Sequence, residues 1–154
     1  MYERILVALD RSPMAQLVFD SALFLAKKCD SQLNLLHVIS QEVAETPLSF
    51  APYSFTYDME IIQELQHQWE KYKQESLEML EYWVKQAQKE GVIAEFTQTY
   101  GHPGAEICKL AQQWNANLIV MGRRGHSAVS EMILGSVSSY VIHRCHCAVH
   151  LVQF

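Results

Sequence analysis

The chain has 154 residues, 49% hydrophobic and 19% charged, with a net charge of −5. That length buries one core without metals or disulfides and predicts a single domain over residues 1–154. The acidic balance argues against non-specific nucleic-acid binding, which needs a basic face, and no segment is apolar for long enough to span a membrane.

The start, Tyr2-Glu3-Arg4, runs at once into an apolar stretch and leaves no room for a signal peptide, so a cytoplasmic protein is expected. The four cysteines are then expected as reduced thiols. The tail His143-Arg144-Cys145-His146-Cys147-Ala148-Val149-His150 holds zinc-type ligands. Its C-x-C spacing is tighter than the usual knuckle and no second half-site exists, so a helix end and turn is the better reading.

Arg4 to Leu9 is a short β-prone run ended by Asp10. Ser12-Pro13 is expected to supply a helix N-cap and a proline at the first helical position. A helical stripe follows through Ala15, Val18, Phe19, Ala22, Leu23 and Ala26, and Gln32–Ile39 reads as the second strand. Residues Ser40–Asp58, with Pro47, Pro52 and four aromatics, break the pattern, as a functional or mobile loop does. Met59–Glu90 is expected as one long helix, with Ile62, Leu65, Trp69, Tyr72, Ser76, Leu80, Trp83 and Ala87 on its buried face and Gly91 ending it. Val92–Tyr100 is the third strand, with Val92, Ala94 and Phe96 sharing a face. Gly101-His102-Pro103 opens a helix to about Trp114, Leu118–Met121 is the fourth strand, Val137–Arg144 a helix and Ala148–Val152 the last strand. Alternation of this kind predicts an α/β fold: an open five-stranded parallel sheet with right-handed crossovers.

Ligands of open parallel sheets bind at the carboxyl ends of the strands, where strand order reverses. The loops there are Asp10–Ser12, Ile39–Asp58, Gly101–Pro103 and Gly122–Gly135. Gly122 and Gly125 let the backbone turn sharply and approach a ligand, and Gly135-Ser136 looks like the start of a helix whose free N–H groups attract anions. The lysine of a P-loop, the early glycine fingerprint of dinucleotide folds and the nucleophile elbow of hydrolases are all missing. Asp10 reads equally well as a ribose ligand and as a turn residue.

The spacing G-x2-G-x9-G-S after an apolar strand resembles the ATP-binding motif of the universal stress protein family. Ile5-Leu6-Val7-Ala8-Leu9-Asp10-x-Ser12, Leu35-Leu36-His37-Val38, Leu118–Gly122 and Gly135–Ser138 through Cys147-Ala148-Val149 resemble that family's blocks in order. The similarity covers nearly the whole chain, with Ser40–Asp58 as the variable part. It implies a Rossmann-like sheet of order 3-2-1-4-5 with helices on both faces, of the adenine nucleotide alpha hydrolase type.

It further implies an adenine nucleotide, ATP or AMP, with Mg2+ as an accompanying ion. Asp10 would hold ribose beside Ser12, Ala8 and Val38 would border the adenine, and Met121 would lie by the nucleoside. Gly122, Gly125, Gly135, Ser136 and Val137 would line the phosphates, with Ser138 nearby. Arg123 and His126 would add charge or point to solvent, and the role of Arg11 stays open. A homodimer through the last strand is implied, with no nucleic-acid or membrane partner. No second acidic residue stands clearly at this edge and no lysine clamp exists, which favours a nucleotide-sensing regulatory module of the stress response over a slow ATPase. A nucleotide-independent scaffold is the third reading.

Overall fold

The computed structural model describes residues 1–40, 59–123 and 134–153. Strands β1 (Arg4–Ala8), β2 (Gln32–Ser40), β3 (Ala94–Gly101), β4 (Leu118–Gly122) and β5 (Ala148–Val152) alternate with helices α1 (Ala15–Cys29), α2 (Met59–Lys89), α3 (Pro103–Gln113) and α4 (Ser136–Arg144). All strand pairs are parallel and the sheet order is β3-β2-β1-β4-β5. Fold class and strand order are those expected from the sequence. The segment 41–58, Gly125 and His126 lie outside the described residues.

Period-two side-chain alternation divides the core between the two faces of the sheet. Ile5, Val7, Leu33, Leu35, Leu118 and Val120 point to the side covered by α1 and α2, where Phe19, Leu80, Trp83 and Ala87 close over them. The intervening Leu6, Leu36, Ile119 and Met121 point to the other side, under Ile107 and Ala111 of α3 and Val141 of α4. A one-residue slip of β1 would exchange the two sets, so burial on both faces fixes the register.

Three local expectations are corrected. Ser12 does not cap α1: its hydroxyl turns back to Asp10 Oδ1, the helix starts at Ala15, and Met14 at the cap position makes no side-chain cap bond. The reason is that residues 12–15 form a turn, with Ala15 N donating to Ser12 O at 3.1 Å, so the helix starts beyond Pro13 and the Ser12 hydroxyl does not stand at its cap position. β3 begins at Ala94, because Val92 is spent on closing the turn after α2, where its N–H donates to Ala87 O at 3.0 Å. Phe96, on this edge strand, keeps 37% of its surface exposed. Lastly, the thiols are not all free: Cys108 of α3 and Cys145, the C-cap of α4, are joined as a disulfide with Cα atoms 5.3 Å apart. The two helices pack so closely that a Cβ on Gly104 would stand 2.7 Å from the Tyr140 ring. That approach brings together two cysteines separated by 37 positions.

Helix ends follow their chemistry. Asp30 takes a left-handed conformation (φ 55°) and its N–H returns to Ala26 O, ending α1. Gly91 (φ 80°) ends α2, a position where a side chain would be strained. His102 caps α3, its Nδ1 accepting from Ala105 N at 3.3 Å, with Pro103 at the first helical position.

Candidate functional site

β1 and β4 are neighbours, with Ala8 paired to Met121, and the strand order reverses between them. The chain therefore leaves both strands side by side, into Asp10–Ser12 from one and Gly122–Arg123 from the other. This is the switch point at which open α/β sheets bind ligands. Ala8, Val38, Met121 and Val137 pack in one cluster on the α3/α4 side of the sheet. Ala8, Val38 and Val137 are only half-buried, so the four form an apolar strip that is partly open.

The start of α4 stands at this strip. Its first intrahelical bond runs from Ser139 N to Gly135 O at 2.9 Å, which leaves the amides of Ser136, Val137 and Ser138 without a partner among the described residues. Gly135 provides no side chain to cap them. The position of this helix end is fixed twice. Gly135 N donates to Arg123 O at 3.0 Å, and the buried Ser138 hydroxyl donates to the same carbonyl at 2.7 Å while lying 3.0 Å from Gly135 O. Ser138 is thus a brace for the loop ends. Arg123 N in turn donates to Val152 O at 2.9 Å, and its Nη1 to Gln153 Oε1 at 3.1 Å, so the side chain is directed along the end of β5.

Asp10 is a turn-former by geometry. Its Oδ1 accepts from Ser12 N at 3.0 Å as well as from the Ser12 hydroxyl. No group among the described residues bonds its other carboxylate oxygen, so the turn role and a ligand role do not compete. Ser12 is almost fully buried and is committed to that turn. Arg11, between them, reaches away to α2: Nη2 stands 2.7 Å from Glu75 Oε2 and the guanidinium lies 4.9 Å from the Tyr72 ring centroid. Sequence reasoning had no means of finding this pair, because 64 positions separate the partners. Among the described residues no three metal-ligating side chains cluster.

The family model described as "Universal stress protein family" matches residues 1–153. The chain belongs to the universal stress protein family. Universal stress protein Sll1388 of Synechocystis sp. is 39% identical over 99% of this chain and 98% of its own length. Universal stress protein YxiE of Bacillus subtilis is 35% identical over 99% of the chain and all of its own length. Among solved structures, that of the protein MJ0577 is similar with a TM-score of 0.78 and 26% identity, covering 100% of this chain and 97% of that one.

Universal stress protein structures at lower identity share the fold and are described as nucleotide complexes. One is a complex with cAMP (TM-score 0.64, 21% identity, 99% and 97% covered). Another, from Archaeoglobus fulgidus, is a complex with dAMP (0.63, 22%, 99% and 98%). A family member from Arabidopsis thaliana has AMP bound (0.65, 18%, 97% and 90%).

Proposed function

We propose that this universal stress protein binds an adenine nucleotide at the carboxyl edge of β1, β2 and β4 and acts as a nucleotide-sensing regulatory module. The observation that carries the reading is the N-terminus of α4, uncapped among the described residues and held by Arg123 and Ser138 beside an apolar strip, with Asp10 following the neighbouring strand β1. The adenine lies on Ala8, Val38 and Met121, the second oxygen of Asp10 accepts from a ribose hydroxyl, and the amides of Ser136 and Val137 meet the phosphates. Structures of similar fold described with cAMP, dAMP and AMP support an adenine nucleotide as the ligand class.

Phosphate contacts alone are too weak. A helix N-terminus contributes about 0.3–1 kcal/mol per exposed anion contact and up to about 2 when partly buried. Micromolar affinity needs about 8 kcal/mol, so burial of the base on the apolar strip must supply much of it. If Mg2+ accompanies ATP, Asp10 is the carboxylate at this edge that would help hold it, and the ion would neutralise phosphate charge. The stress response and the cytoplasm are the setting for this role, and the unpaired edge of β5 is the proposed homodimer contact.

Calorimetric titration with AMP, ADP, ATP and GTP, with and without Mg2+, followed by chromatography of the nucleotides, tests the reading. Heat is expected with the adenine nucleotides and is expected to weaken in Asp10→Ala and Gly122→Val. No heat with any adenine nucleotide sinks it, and turnover lost in those variants would make the protein an ATPase. Light scattering of a chain lacking residues 149–154 tests the dimer: an unchanged mass removes β5 from the interface.

A further inference from the structure

α4 is fastened at both ends by different chemistry. At its start, Ser138 and Gly135 hold it to Arg123 at the end of β4. At its other end, Cys145 is bonded to Cys108 on α3. Between these points Val141 is fully buried and the Tyr140 ring lies against Gly104. The same ring packs 5.0 Å from His102, the N-cap of α3, and under the Arg144 guanidinium at 4.3 Å. The helix is only nine residues long, so a constraint on Cys145 acts two and a half turns from the orphan amides.

We propose that the Cys108–Cys145 pair is a redox clasp that sets the mobility of α4, and through it the affinity of the helix N-terminus for the nucleotide. The nucleotide half of this statement rests on the function proposed above; the clasp itself does not. The partner of the pair is a small-molecule disulfide such as oxidised glutathione. One cysteine thiolate attacks it, its S–S bond breaks, and one glutathione thiolate leaves. The second cysteine thiolate then attacks the protein-bound sulfur, forming the Cys108–Cys145 bond and releasing the second glutathione. Two protein thiols are oxidised, one glutathione disulfide is reduced to two thiols, and the two protein protons pass to the released thiolates.

Opened, the clasp leaves α4 with its Ser138 brace and the small core around Val141. A nine-residue helix is marginal by itself, and with its far end released it fluctuates about the Ser138 brace. Phosphate then has to order the amides it binds, which weakens binding without altering any contact. Cys147, two positions past Cys145, is half-buried in the same cluster as both partners, and desolvation raises its thiol above the ordinary cysteine value. A protonated Cys147 competes poorly as an exchanging nucleophile, which favours the Cys108–Cys145 pairing.

The full chain is equilibrated in glutathione buffers from reducing to oxidising, quenched in acid and alkylated with N-ethylmaleimide. With four cysteines in the chain, intact mass is expected to move from four adducts to two. The tryptic peptide 90–109 is expected joined to 145–154 in the wild type and in Cys147→Ser, and separate in Cys145→Ser. Four adducts at every ratio, or a link lost in Cys147→Ser and kept in Cys145→Ser, overturns the proposal.

Hydrogen exchange across 135–145 is expected to slow on oxidation in the wild type and not in Cys108→Ser; equal exchange in both states overturns the clasp. AMP is expected to bind about fivefold more tightly to the oxidised protein, and the difference to vanish in Cys108→Ser. Equal AMP affinity in both states overturns the coupling. Absence of AMP binding in either state, with the exchange difference present, defeats the nucleotide reading and leaves the clasp supported.

Discussion

The two faces of the sheet are held by different means. On one, α1 and the 31-residue α2 bury Phe19, Leu80, Trp83, Val84 and Ala87 against β1, β2 and β4, with Phe19 and Trp83 rings 4.6 Å apart. On the other, α3 and α4 have 11 and 9 residues and bury chiefly Ile107, Ala111 and Val141. The smaller face compensates with a covalent link, a ring pressed onto a glycine and a braced helix start. The contrast separates stability from responsiveness. The face with the larger core anchors the sheet, and the lightly packed one has the helix that meets the proposed ligand.

If that division holds, the largest loss comes from the α1/α2 face. Phe19→Ala is expected to cost about 3–5 kcal/mol, read as a lower urea midpoint with an unchanged slope; a loss below 1 kcal/mol would mean that this face does not anchor the fold. Next, Gly104→Ala is expected to cost about 1–3 kcal/mol, because the new Cβ meets the Tyr140 ring. Combining it with Tyr140→Ala should recover part of that cost, and strict additivity would show that the ring is not the obstacle.

Ser138→Ala is smaller in stability, about 1 kcal/mol for one buried hydrogen bond, and is expected to weaken AMP binding in calorimetry. Stability lost without any change in AMP affinity would confine Ser138 to packing. The smallest effect belongs to the Lys27–Glu90 pair, exposed at the far ends of α1 and α2. The hydrogen bond from Lys27, then its charge, holds the Glu90 carboxyl below the usual carboxylate range. A lowered folded value means that the contribution is present at neutral pH and is lost as pH falls through that value. Melting points of wild type and Lys27→Ala should thus differ slightly at pH 7 and converge in acid; a gap that widens in acid would reverse the sign.

Most of the architecture was legible because it is written in periodicities. Short continuous apolar runs in β1, β2 and β4 and the Gly122–Gly135 spacing placed the strands and the helix start. Ala8, Val38, Met121 and Val137, expected near one ligand, fall in one cluster. What escaped were contacts with no local signature. Arg11 with Glu75 and Cys108 with Cys145 meet only after the helices have docked, and nothing in their immediate sequence announces the partner. Ser12 was misjudged for a different reason: a turn from Ser12 to Ala15 precedes the helix and moves its start past Ser12 and Pro13, while the Ser12 hydroxyl donates to Asp10. The hydrogen bond from the Ser138 hydroxyl to Arg123 O also escaped, since 15 positions separate the two.

The hydrogen bond from Gly135 N to Arg123 O has one more consequence. The chain departs from β4 and re-enters at α4 through a stem closed at 3.0 Å, which holds the two ends together. Closure entropy grows only slowly with length once the ends are tied. A change in the length of chain joining Arg123 to Gly135 is therefore expected to put little strain on the sheet. For a protein engineer this is a graft site: a stem that accepts a new recognition loop while strands and helices keep their places.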